Sequence, residues 1–107
     1  VAYILYWTDS ARNAFSSLKN DASKKIPYKA VKKALELLAE NPRYPGLQTH
    51  LFSSLQGPNG EKVFESYAQN DTPGASRLFW YYGTDEIDSE GNHTPVITIF
   101  TMTPHPD

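Results

Sequence analysis

Three side chains in this sequence have the chemistry to act together on a phosphodiester. Glu65 lies in Val63-Phe64-Glu65-Ser66-Tyr67, and Arg77 opens the apolar run Arg77-Leu78-Phe79-Trp80-Tyr81-Tyr82. His105 stands between Pro104 and Pro106, just past Val96–Thr103. In metal-free RNA cleavage the 2′-hydroxyl attacks the adjacent phosphorus in line and expels the 5′-oxygen. One group must take a proton, another must return one, and positive charge must face the crowded phosphate. A guanidinium stays charged and fits two phosphate oxygens at once, which suits Arg77. An imidazole exchanges protons near neutrality, which suits His105, and the flanking prolines fix the backbone around it. Glu65 can serve as base only if it shares a sheet face with Arg77; His50, early in its own strand, is the other candidate. Each residue also has a plainer account. Arg77 can pair with Glu65 across the sheet, His105 can merely follow a strand end, and a lone strand histidine such as His50 is usually structural.

Those side chains need a scaffold. Val1–Trp7 is rich in aromatic and β-branched residues and reads as a first strand. Thr8-Asp9-Ser10 offers helix caps, and Ala11, Ala14, Phe15 and Leu18 give the helix that follows one apolar face, ending at Asn20-Asp21. In a second helix, Pro27 fits the first turn and Tyr28, Val31, Ala34, Leu35, Leu38 and Ala39 form the stripe. Asn41-Pro42 stops it, because a residue before proline is pushed out of helical geometry. Four strand-like runs follow: Leu47–Leu55, Lys62–Gln69, Arg77–Tyr82 and Val96–Thr103. Turn-rich linkers separate them, the last being the acidic stretch Gly83–Thr94. The order predicts one α+β domain over residues 1–107. An N-terminal strand and two helices precede a four-stranded, largely antiparallel meander, with both helices on one face of a curved sheet.

Strand parity then sorts the side chains. Phe64, Leu78 and Trp80 are expected under the helices; Glu65, Tyr67, Arg77, Phe79 and Tyr81 are expected on the opposite face, displayed as a surface. There Tyr67, Phe79 and Tyr81 would be free to stack on unpaired bases.

Composition narrows the class. Net charge is −2, which argues against a protein that coats nucleic acid by bulk charge. The distribution is uneven: residues 1–50 carry eight Lys/Arg against four Asp/Glu, and residues 51–107 carry two against eight. Lys25, Lys29, Lys32, Lys33 and Arg43 are therefore candidate RNA phosphate contacts, or simply a solvated helix surface. With no cysteine there is no disulfide and no thiolate chemistry. Three scattered histidines show no ligand spacing, and Asp85, Glu86, Asp88 and Glu90 lack the glycine of a calcium loop, so neither metal nor cofactor is expected. No run approaches the ~20 apolar residues of a membrane span, and a cytoplasmic protein is expected.

Taken with this layout, Leu37-Leu38-Ala39-Glu40-Asn41-Pro42, Val63-Phe64-Glu65-Ser66-Tyr67, Gly74-Ala75-Ser76-Arg77-Leu78-Phe79-Trp80 and Thr103-Pro104-His105-Pro106 resemble the RelE/ParE superfamily of toxins, which includes RelE, HigB, YoeB and ParE. The resemblance implies a RelE-like fold and a toxin that inhibits translation by cutting messenger RNA on the ribosome, held in check by a cognate antitoxin. Arg77 matches the arginine opening the family's arginine–apolar–apolar–aromatic strand, and His105 the histidine after the last strand. Two departures are visible: an acid at Glu65 where many nuclease members are basic, and the overall acidity. Both keep open an alternative on the same scaffold, a gyrase-inhibiting or inactive binding protein.

Overall fold

The computed structural model describes residues 2–70 and 75–104. Strand β1 (Ile4–Trp7) leads directly into helix α1 (Asp9–Asn20) through Thr8. The Thr8 hydroxyl accepts from the Ala11 amide at 3.1 Å, capping the helix, and donates to the Phe100 carbonyl, tying the helix start to the sheet. Asp21 ends α1 and its carboxylate accepts from the Ser23 amide at 2.9 Å, which opens a short 3-10 turn into helix α2 (Lys25–Glu40). Pro27 falls in the first turn of α2, where its missing amide costs nothing. Val31, Ala34, Leu35 and Leu38 are buried at helical spacing, and α2 stops before Asn41-Pro42 as expected.

The strands that follow are β2 (His50–Gln56), β3 (Lys62–Tyr67) and β4 (Ser76–Tyr82). Next comes a small hairpin of β5 (Glu86–Ile87) and β6 (His93–Thr94), and last β7 (Val96–Pro104). The main sheet runs β1-β7-β4-β3-β2, with β1 parallel to β7 and every other pair antiparallel. The result is a mixed α+β architecture with an open five-stranded sheet. Leu78, Trp80, Ile97, Ile99 and Met102 pack under Ala11, Val31, Ala34, Leu35 and Leu38 in one core. Ile99 and Met102 are three apart, so plain strand alternation would separate them. A bulge resolves this: Trp80 pairs with Ile99 and Phe79 with Thr101, leaving Phe100 as an extra residue. The indole N–H of Trp80 donates to the Ser66 hydroxyl at 2.8 Å, so the largest core side chain is polar-satisfied.

Two expectations are corrected here. The second expected strand does not begin at Leu47. Pro45–Leu47 form a 3-10 turn that sends Leu47 into the helix-side core, and Gln48 adopts a left-handed φ of 48°, so pairing starts only at His50. The acidic stretch is also not plain loop. Asp88 accepts from the Glu90 and Asn92 amides, both at 2.9 Å, and folds Gly83–Thr94 into the β5–β6 hairpin.

Candidate functional site

Register places the candidate side chains together. His50 sits opposite Glu65 across β2–β3, and Tyr67 sits opposite Arg77 across β3–β4. Glu65 is thus the diagonal neighbour of Arg77 on the face away from the helices, within reach of long side chains. Parity predicts this sharing of a face by Glu65, Tyr67 and Arg77, and the structure bears it out.

The contacts are specific. Glu65 Oε1 lies 2.7 Å from His50 Nε2, and Glu65 Oε2 lies 3.8 Å from Arg77 Nε. Nη1 of Arg77 donates to the Gln69 carbonyl at 2.8 Å. Gln69 turns that carbonyl inward because the chain leaves the ladder at Tyr67: the amides of Ala68 and Gln69 both reach the Ser76 carbonyl, at 3.1 and 3.3 Å. The guanidinium lies 3.8 Å above the Tyr67 ring centroid, a cation–π contact. Tyr67 also meets the His50 ring edge-on at 5.7 Å between centroids. On its other nitrogen, His50 Nδ1 faces the Gln48 carbonyl at 2.9 Å. One carboxylate is therefore enclosed between a guanidinium and an imidazole that both rest against the Tyr67 ring.

Burial gives the arrangement its energy. Side-chain exposure is 4% for Glu65, 10% for Arg77 and 46% for His50. An ion that deep loses several kcal/mol of hydration, which only close opposite charge and hydrogen bonds return. Glu65 Oε2 and Arg77 Nε face each other with no hydrogen-bond partner, so the ion pair is formed by charge at a distance too long for a bond. Among the described residues His50 holds the one direct hydrogen bond to the carboxylate, and it is the exposed rim of the cluster.

Other expected site residues fall elsewhere. Phe79 and Tyr81 do not form a base-stacking surface: they are 2% and 8% exposed, packed with Val63 under Phe52, Leu55 and Phe100. Strand β2 and the Phe100 bulge cover that face, which becomes a second small core. Tyr67 is half-buried with one ring face taken by Arg77. Lys25, Lys29, Lys32 and Lys33 are exposed on α2, so the sheet lies between them and Arg77. Arg43 is exposed beyond the end of α2. It lies near Tyr82, whose hydroxyl is pushed up by burial and by Tyr3 and drawn partly back by Arg43. His93 sits on the β5–β6 hairpin, 3.4 Å from the Asp85 carboxylate. His105 lies outside the described residues. Arg77 itself is not an open phosphate clamp, because its face and two of its nitrogens are already directed at protein groups.

The backbone carbonyls of Gln48 and Gln69 are part of the cluster, and no side-chain pattern announces them. The left-handed turn at Gln48 and the broken ladder at Gln69 create both positions. No protein-family model, curated protein or solved structure matches the chain. Among the described residues, no helix is long and apolar enough to cross a membrane.

Proposed function

We propose that this chain is the toxin of a bacterial toxin–antitoxin pair on the RelE/ParE plan, acting in the cytoplasm as a metal-independent endoribonuclease on ribosome-bound messenger RNA. The element order supports the reading, as does the antiparallel run β2-β3-β4-β7 completed by a parallel β1. One observation carries it. Glu65, Arg77 and His50 converge on the sheet face that the helices leave free, joining a proton-exchanging ring to a carboxylate and a fixed cation. They supply the proton exchange that cyclising cleavage requires, with a fixed cation behind the carboxylate. The same reading supplies a cognate antitoxin as partner, with β2, one of the two sheet edges, as the place where an added strand would pair.

Induction of the chain in bacteria is expected to arrest growth and to leave messages with new internal ends bearing 5′-hydroxyls. Arg77→Gln and His50→Ala, checked for folding by circular dichroism, are each expected to relieve the arrest. Intact messages in arrested cells would remove the nuclease from the reading.

A second reading keeps the scaffold without the nuclease: a protein that inhibits a partner such as gyrase, or an inactive homologue. The enclosure of Arg77, 8% exposed and set against Glu65, favours it. DNA damage without message cleavage would select it.

A further inference from the structure

We infer that His50, and not Glu65, is the side chain that exchanges a proton with the substrate, acting as general acid to the leaving 5′-oxygen while Glu65 and Arg77 position it. The inference rests on the nuclease reading above and assigns roles within that site.

The two nitrogens of the ring face different acceptors. Nε2 faces the Glu65 carboxylate at 2.7 Å and Nδ1 faces the Gln48 carbonyl at 2.9 Å. Both neighbours are acceptors only, so the ring satisfies both as the doubly protonated imidazolium. The two contacts differ in kind. Glu65 is buried, ionic and flanked by Arg77, whereas the Gln48 carbonyl belongs to an exposed residue in a left-handed turn. Nε2 is the held nitrogen and Nδ1 the exchangeable one. An incoming oxygen takes the place of the Gln48 carbonyl, while Glu65 keeps the ring in orientation and fixes which tautomer remains after the proton has gone. Tyr67, edge-on to the ring at 5.7 Å, limits its rotation.

Glu65 is badly placed for the same duty. Its side chain is 4% exposed, Oε1 is covered by His50, and Oε2 points at Arg77. Arg77 holds its position through Tyr67 and the Gln69 carbonyl and puts a fixed positive charge behind the carboxylate.

The 2′-oxygen bonds to phosphorus and its proton passes to water. The P–O5′ bond breaks, and O5′ takes the proton from Nδ1. The ring is left neutral, with its remaining proton on Nε2 against Glu65. Water returns a proton to Nδ1, the Gln48 carbonyl accepts it again, and the starting form is restored.

A messenger oligonucleotide carrying sulfur in place of the bridging 5′-oxygen at the cut position separates this role from a structural one, because a thiolate leaves without a proton. The full-length chain is assayed on programmed ribosomes with His50→Ala and His50→Gln. The expected result is a loss of about 100-fold or more on the oxygen substrate, the lower range for a general acid, and near wild-type rates on the sulfur substrate. Glu65→Gln is expected to slow the oxygen substrate more than the sulfur one, because it loosens the same ring. Equal losses on both substrates, or none, would overturn the assignment while wild-type cleavage leaves the nuclease reading standing. No cleavage by folded wild-type protein would overturn both.

Discussion

Burial makes the Glu65–Arg77 pair an energetic feature as well as a chemical one. Arg77 is the more committed partner: its side chain is 10% exposed, stacked on Tyr67 and bonded to the Gln69 carbonyl. Replacing it with Met leaves a carboxylate 4% exposed with His50 as its remaining close partner among the described residues. Breaking a buried pair on one side costs about 3–5 kcal/mol. His50 is half-exposed and still bonded to Glu65, so Arg77→Met is expected near the lower end, about 3 kcal/mol, read from the urea midpoint. Adding Glu65→Leu removes the stranded charge. The double variant is therefore expected to be more stable than the sum of the singles, by about 0.5–3 kcal/mol, the range for residues sharing one network. Strict additivity would mean the two charges do not interact across 3.8 Å.

At the scale of elements, two joints make separable predictions. Thr8 both caps α1 and ties its start to Phe100, so Thr8→Ala is expected to cost about 1–2 kcal/mol in thermal unfolding, the upper half of the usual range for a cap. The β5–β6 hairpin depends on Asp88, whose carboxyl is held below its ordinary value by bonds from Asn92, then Glu90 and Gly91. A carboxyl depressed in the folded state stabilises it above the unfolded value and stops doing so as pH falls through the lowered one. The amide resonances of Ile87 and His93 are therefore expected to shift on acidification below the ordinary carboxylate range, and not in Asp88→Asn. These joints also mark what was legible in the sequence. Caps, the Asn41-Pro42 stop and strand parity are local, so Thr8, the bounds of α2 and the shared face of Glu65, Tyr67 and Arg77 could be read directly. The late start of β2, the hairpin within the acidic stretch and the covering of Phe79 and Tyr81 could not. Each depends on where a distant segment packs: Leu47 under the helices, and Phe52 and Phe100 over Phe79. The partner of His50 was open for the same reason, since only the β2–β3 register puts it opposite Glu65.

Over the whole molecule, the charged features lie on two sides of one sheet. The α2 lysines face outward from the helical layer, and the His50–Glu65–Arg77 cluster lies on the opposite face. A short single strand seated on the cluster cannot also lie along Lys29 and Lys33; only a large, folded RNA could touch both sides of a domain 28 × 27 Å across its short axes. Under the ribosomal reading the lysines therefore act in docking and not in cleavage. Lys29→Glu together with Lys33→Glu is expected to weaken ribosome binding several-fold at low salt. It should also flatten the dependence of affinity on salt, because fewer counterions are released. Both positions are exposed, so the melting temperature should stay close to wild type. Single-turnover cleavage at saturating protein should be unchanged, in contrast to His50→Ala. A fall in the saturated rate would place the α2 face against the cut strand itself and would require the RNA to pass around the sheet edge. An unchanged salt slope would remove the lysines from the RNA contact altogether and leave them as helix surface.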